Sequence, residues 1–381
     1  MPGRSGPLAG VKVLELAGIG PGPMCAMLLA DLGATVLRID RPEPAALGIK
    51  RPLRYNLLLR SRETLALDLK SSAAKALILT LTEQADGVIE GFRPGVIERL
   101  GLGPDILLER NPRLVVGRMT GWGQAGPLAQ TAGHDINYIA LTGALSMFGS
   151  PQTPPPPPLN VIGDYAGGAL YLALGMVSAI FSARVTGAGQ VVDAAIVDGV
   201  ASLMTTFQGM FAAGMLAPER GANILDGGAH FYGCYECAGG GYMAVGPIEE
   251  KFYGQLLETL QLNPAALPAQ MDRGGWQSMR ETLAARFRTR TRDEWAAIFA
   301  DSDACVSPVL SLRESAAHPH LAARGSYVEV DGVVQSAPAP RFSVTPCAIP
   351  TPPREADNDA ALAAWLVPEE ISKLRESGVI S

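Results

Sequence analysis

Histidine is nearly missing from this chain: His134, His230, His318 and His320 are all that 381 residues contain. Scarcity makes each setting informative, and His134, set between Gly133 and Asp135, asks for an explanation. Cysteine is also sparse. Cys25, Cys234, Cys237, Cys305 and Cys347 are odd in number and follow no apolar leader segment, so reduced thiols are expected rather than a disulfide framework. Cys234 and Cys237 form a CxxC, but neither a second CxxC nor a nearby histidine pair completes a zinc site, and no metal is expected. Blocks of like charge are lacking too. The 31 basic and 37 acidic residues give a net charge of −6 spread along the chain, which argues against nucleic acid and against a polybasic membrane surface as partners. One uncharged apolar run, 166–183, approaches the roughly 18 residues that raise the question of a membrane span. It is interrupted by Gly167, Gly168, Gly175, Ser178 and Ser182 and flanked by Asp164 and Arg184, so a buried core helix is expected. The terminal GVIS is not a peroxisomal SKL signal, and a cytoplasmic location is the default.

What the chain does have is apolar mass in a regular order. Hydrophobic residues make up 48%, enough to bury substantial cores, and the length fits two or three domains. GVKVLELA reads as a strand, MCAMLLADLGA as a helix and TVLRID as a second strand. DGVIEGF, DILLERN and RLVVGRMT continue the alternation as strand, helix and strand. Strands alternating with helices imply a largely parallel, Rossmann-like sheet. After the polyproline stretch PQTPPPPPLN, two long apolar helices are expected, near Ala166–Arg184 and Ala194–Leu216. From about Asp226 the texture becomes α+β: a hairpin turns at Gly239–Gly241, a capping box is spaced at Thr291 and Glu294, and a second hairpin turns at Asp331–Gly332. The fold class is therefore α/β, with a Rossmann-like large domain and a smaller α+β domain. The expected bounds are 1–200 for the first part of the large domain, 201–225 for linker helices, 226–330 for the small domain and 331–381 for a C-terminal segment returning to the large one.

Three acids and one histidine carry the candidate chemistry. His134 lies in a loop after a parallel strand, where open α/β sheets place their sites, and an imidazole can give or take a proton near neutral pH; a hydrogen-bonded structural role is the plain alternative. Asp164 precedes the apolar helix, so it reads either as an N-cap or as a general base among Gly163, Gly167 and Gly168, which leave backbone room for a ligand. Glu249 and Glu250 fall at a helix start, where the macrodipole alone accounts for acids. The loop of Gly18, Gly20 and Gly22 invites a dinucleotide reading, but Pro23 stands where the third glycine of GxGxxG belongs and looks like a first helical residue.

Taken together, LELAGIGPGPMCAMLLADLGA, VLRIDRP, LDLK, GFRPGVIERLGLGP, RMTGWGQAGP, AGHDINY, LNVIGDYAGG, GQVVDAAIVDG, RGANILDGGA, YMAVGPIE and DACVSPVL resemble the family III CoA-transferase superfamily, specifically its racemase branch. The resemblance runs to about residue 345. It implies an interlocked homodimer and an isomerase that interconverts the epimers of 2-methylacyl-CoA thioesters through an enolate, with CoA as part of the substrate and no separate cofactor. The acid/base pair it implies is His134 and Asp164, with Glu249 supporting the histidine and Glu250 as the alternative. Implied CoA contacts are Arg41, Asp68, Lys70, Gly91, Phe92, Arg93 and Arg99, with Gly133, His134, Asp135, Ile136, Asn137 and Tyr138 lining the thioester; Arg60 and Arg62 are open as further contacts. Cationic contacts suit a phosphate-rich ligand. Other readings are a family III CoA-transferase using Asp164 as nucleophile and a non-catalytic acyl-CoA binding protein. The histidine of GHDINY favours the racemase branch.

Overall fold

A computed structural model describes residues 5–43 and 48–380. The first residues of the N-terminal stretch read above and Ser381 of the GVIS terminus lie outside them. In chain order the elements begin with β1 (Lys12–Leu16), α1 (Pro21–Asp31), β2 (Thr35–Asp40), β3 (Glu63–Ala66), α2 (Ser72–Thr82), β4 (Gly87–Glu90), α3 (Val96–Arg99), α4 (Pro104–Arg110), β5 (Val115–Thr120) and α5 (Asp135–Leu141). A π-helix (Val161–Leu170), α6 (Tyr171–Thr186), β6 (Gln190–Ala195), α7 (Ile196–Leu203) and α8 (Thr205–Ala212) follow. Then come β7 (Gly233–Glu236), β8 (Tyr242–Val245), α9 (Glu250–Thr259), α10 (Trp276–Phe287), α11 (Arg292–Phe299), β9 (Val306–Pro308) and α12 (Leu312–Ala317). The chain ends with α13 (Pro319–Ala323), β10 (Tyr327–Val330), β11 (Val333–Ser336), α14 (Asn358–Leu362) and α15 (Pro368–Glu376).

The chain divides into two compact units: 1–142, 159–203 and 319–381 form the first, and 143–158 with 204–318 the second. The polyproline stretch thus groups with the second unit and the β10–β11 hairpin with the first. In the first unit six strands, all parallel, lie in the order β3-β2-β1-β4-β5-β6. This is the Rossmann-like sheet expected from the alternation of strands and helices. Consecutive apolar residues in β1, β2, β4 and β5 are buried because both faces are covered. Leu14, Leu37, Leu65 and Val116 share one core with Leu77 and Leu81 of α2, Leu107 of α4, Leu362 of α14 and Ile371 of α15. Helix α6 packs against β5 and β6.

Three local expectations are corrected. The run near Ala194–Leu216 is not one long helix: it starts as β6 and continues as two short helices, α7 and α8. Val191, Val192 and Ala194 satisfy a sheet position that apolar periodicity alone does not separate from a helix. Helix α1 starts at Pro21, not Pro23. The run expected as a buried core helix is buried on one side only. Val161–Thr186 is long and apolar enough to cross a membrane by length and composition, yet Met176, Ala179 and Ile180 are buried while Leu170, Leu174, Val177, Phe181 and Val185 form an exposed stripe.

In the second unit, β7, β8 and β9 form an antiparallel sheet. Its core contains Phe231, Tyr235, Trp276, Phe287, Trp295 and Phe299, with Tyr235 stacked on Phe287 at 5.3 Å. The expected capping box is present: the Glu294 carboxylate accepts from the Thr291 N–H at 2.8 Å, and Thr291 Oγ1 accepts from the Glu294 N–H at 3.3 Å. The 234–237 CxxC is two free thiols, Cys234 exposed and Cys237 buried. His230 is fully buried, with Nε2 2.8 Å from Tyr253 Oη and no hydrogen-bond partner for Nδ1 among the described residues. Burial, and then the Arg280 guanidinium, push its pKa down to about 4. An unfolded chain binds this proton near pH 6.5 and the folded unit does not, so stability is retained above about pH 6.5 and falls as pH drops toward 4, by about 3 kcal/mol in full. Urea titrations at pH 7 and pH 5 are expected to differ by about 2 kcal/mol of this total, and His230→Phe to flatten the dependence.

Candidate active site

Because all six strands run the same way, the loops that follow them emerge at one edge of the sheet. The strand order reverses between β1 and β4, which opens a crevice there. The implied CoA contacts of the first unit gather around this edge: Arg41 follows β2, Asp68 and Lys70 follow β3, Gly91, Phe92 and Arg93 follow β4, and Arg99 ends α3. Arg41, Asp68, Lys70, Arg93 and Arg99 are all exposed. The turns that carry them are fixed locally. The Asp68 carboxylate accepts from the Lys70 N–H at 3.0 Å, Asp40 from the Arg41 N–H at 2.8 Å, and Glu90 from the Phe92 N–H at 2.8 Å.

Arg60 and Arg62 are not part of this cationic set. Arg60 is buried against Asp31, its Nε donating to Oδ1 at 3.1 Å, and Arg62 is buried in an ion pair with Glu15. Glu15 also accepts from Arg38 at 3.2 Å. These guanidinium groups are held inside the fold, out of reach of a phosphate in solution.

His134 is the N-cap of α5, with extended backbone. Its N–H donates to Asn137 Oδ1 at 3.0 Å, while the imidazole does not cap the helix and is exposed. Tyr138 lies over the end of β5, where a side chain at Gly121 or Gly133 would collide with its ring. Trp122 meets that ring edge-on at 4.7 Å, and the Tyr138 hydroxyl donates to the Gly133 carbonyl. The segment 133–138 is therefore anchored by aromatic packing, with Ile136 and Asn137 exposed and Asp135 and Tyr138 buried. Burial raises the Tyr138 pKa to about 12, so the hydroxyl stays a donor.

Asp164 is not an N-cap. It sits inside the π-helix, a rare winding that recurs at functional sites. Its Oδ2 accepts from the Asn160 amide at 3.2 Å. The neighbouring glycines do not leave room for a ligand either; they admit protein. A side chain at Gly163 would run into the Asp135 carboxylate, one at Gly167 into Val200 of α7, and one at Gly168 into Pro21 and Ile196. Gly20, with φ of +68°, brings the start of α1 so close that an added Cβ would lie 3.1 Å from Asp164 Oδ2.

His134 and Asp164 are brought together through Asp135. The Asp135 carboxylate accepts from the backbone N–H of Asp164 at 2.6 Å, which ties the π-helix to the start of α5. Burial raises the Asp164 pKa; the Asn160 hydrogen bond opposes that, the Asp135 charge adds to it and His134 opposes it. A carboxyl held above its ordinary range by burial and placed near an exposed imidazole gives the site two groups of the kind that carry protons. Glu249 is the N-cap of α9 in the second unit, exposed beside Glu250. The role of the Asp135 side chain was not read from the sequence; GHD alone gives no sign that its acid faces a backbone N–H 29 positions away.

The pattern of CoA-transferase family III matches residues 8–358. Alpha-methylacyl-CoA racemase of Mus musculus is 44% identical over 350 residues, 91% of this chain and 89% of that protein. The Homo sapiens protein of the same name is 44% identical over 347 residues, 90% and 88% of the two chains. The structure of a CAIB/BAIF family protein from Brucella suis superposes with a TM-score of 0.80 over 95% of this chain and 99% of that one, at 24% identity, a likeness of fold. By the extent of the pattern and of these identities, the chain belongs to CoA-transferase family III.

Proposed function

We propose that this protein is a racemase that interconverts (2R)- and (2S)-2-methylacyl-CoA thioesters by moving one proton at C2. The observation that carries the reading is the pairing of His134 with a half-buried Asp164 whose carboxyl is pushed upward by burial, in a chain 44% identical to proteins named for this activity. A carbon with one weakly acidic hydrogen is inverted when one group removes the proton from one face and another supplies a proton to the opposite face. Neutral His134 facing protonated Asp164 serves one direction, and protonated His134 facing ionised Asp164 serves the reverse. The thioester carbonyl takes up the charge as an enolate, whose oxygen needs a donor; the backbone N–H of Asp135, at the first position of α5, fills that role. Arg41, Lys70, Arg93 and Arg99 hold the phosphates of CoA, Asp68, Gly91 and Phe92 complete its site, and Gly133 to Tyr138 line the thioester.

The working form is a homodimer in which a second copy of the chain contributes Glu249 to orient His134. The exposed stripe from Leu170 to Val185, in which Phe181 is 70% exposed, supports association, since contiguous apolar surface of this kind marks an interface.

The test is a single 2-methylacyl-CoA epimer incubated with the protein in deuterated water. Inversion with deuterium at C2 is expected. Transfer of CoA to an added free acid would instead identify a transferase with Asp164 as nucleophile, and binding without either reaction a non-catalytic acyl-CoA protein.

A further inference from the structure

The Asp135 side chain is buried, at 7% exposure, in a position where its neighbours His134, Ile136 and Asn137 are exposed. A buried carboxylate is costly unless its oxygens are used. Oδ1 is used: it accepts from the Asp164 N–H at 2.6 Å. Oδ2 has no partner among the described residues. A side chain at Gly163 would collide with Oδ1, so that glycine is what lets the carboxylate approach the turn. The first N–H groups of a helix have no partner within it; in the π-helix, Asp164 finds its partner on a side chain from α5.

Resting on the racemase reading above, we infer that Asp135 is a positioning residue: its buried carboxylate clamps the backbone that carries Asp164 to the helix start that carries His134, and so sets the spacing of the two proton-carrying groups. It does not touch the moving proton. The consequence is specific, because two-base inversion needs both groups aligned on opposite faces of one carbon, whereas exchange of the α-hydrogen with retention needs only one of them. Loosening the clamp therefore costs inversion more than exchange, and a misplacement of about 1 Å is enough for a loss of order 10²-fold.

The experiment compares wild type, Asp135→Ala and Asp135→Asn with one 2-methylacyl-CoA epimer in deuterated water, following inversion by chiral separation and deuterium at C2 in the unconverted epimer by mass spectrometry. Asp135→Ala is expected to lower kcat for inversion about 100-fold with KM nearly unchanged, and to raise the ratio of exchange to inversion at least tenfold. Asp135→Asn, which keeps an oxygen able to accept from the Asp164 N–H, is expected to recover most of the inversion and to return that ratio toward wild type. Thermal melting of each variant shows whether it is folded; if alanine does not fold, the asparagine variant compared with Gly163→Ala, which pushes on the same contact from the other side, gives the same ratio test. Exchange and inversion falling in proportion, or neither falling, would overturn the positioning role while leaving the racemase reading intact. Neither reaction in the wild-type protein would overturn the racemase reading, and the positioning role with it.

Discussion

Replacing His134 with alanine is expected to remove inversion in both directions, by about 10²- to 10⁴-fold, the usual contribution of one positioned proton transfer. The loss is symmetrical in direction because the imidazole is base for one epimer and conjugate acid for the other. It is not symmetrical in exchange. The epimer whose C2 hydrogen faces Asp164 can still be deprotonated, so slow deuterium uptake with retention is expected from that epimer and not from its mirror partner. Folding is expected to be almost untouched, since the imidazole is exposed and α5 is capped through Asn137 instead; exposed substitutions of this kind shift stability by about 0.5 kcal/mol or less. Chiral analysis of both epimers together with a melting curve checks the result. Racemisation persisting in both directions near the wild-type rate would refute the two-base account.

The parts of this site that the sequence disclosed are those whose chemistry is local. GHDINY declares a histidine in a glycine-flanked turn, and its place after β5 follows from the strand pattern. What stayed hidden depends on winding and on distant partners. Residues 166–184 read as one apolar helix because composition does not distinguish a backbone closed by i→i+5 bonds, as over 161–170, from one closed by i→i+4 bonds, as over 171–186. The π-helix is not legible in that composition, so a cap stays open beside the general-base reading of Asp164, and the three glycines around it read as room for a ligand when they admit Asp135, Val200 and Pro21. No motif announces that Asp135 bonds the Asp164 backbone, since the two lie 29 residues apart.

The fold divides along the same line. β1, β2, β4 and β5 are short apolar runs bounded by polar or glycine residues, and a two-face-buried parallel strand leaves that signature. β6 was lost because its buried end, Ala194–Ala195, runs directly into the apolar residues of α7 with no breaker between them. β3, only four residues long with a single buried position, carries too little pattern to stand out. The two hairpins were legible for the opposite reason: Gly239–Gly240 and Asp331–Gly332 adopt positive φ, a demand that glycine and aspartate announce.

Arg60 gives the sharpest separation of structural from functional charge. Sequence alone left it open as a CoA contact, and the structure assigns it to the interior, 2% exposed. Its Nε donates to Asp31 at 3.1 Å, and its Nη1 donates to Gln335 Oε1 at 3.0 Å and to the Ser336 carbonyl at 2.8 Å. It thereby fastens β11 to the end of α1. Burial already raises the Asp31 pKa against the pull of Arg60, so removing the arginine leaves an acid with burial and little compensation. Arg60→Met is expected to cost about 3–5 kcal/mol in urea unfolding, the usual penalty for orphaning one member of a buried ion pair. Replacing both charges, as Arg60→Met with Asp31→Leu, is expected to recover most of that loss, because two apolar groups need no partner. KM for the acyl-CoA is expected to stay at its wild-type value wherever the variant is folded. A raised KM with unchanged unfolding would return Arg60 to the ligand site.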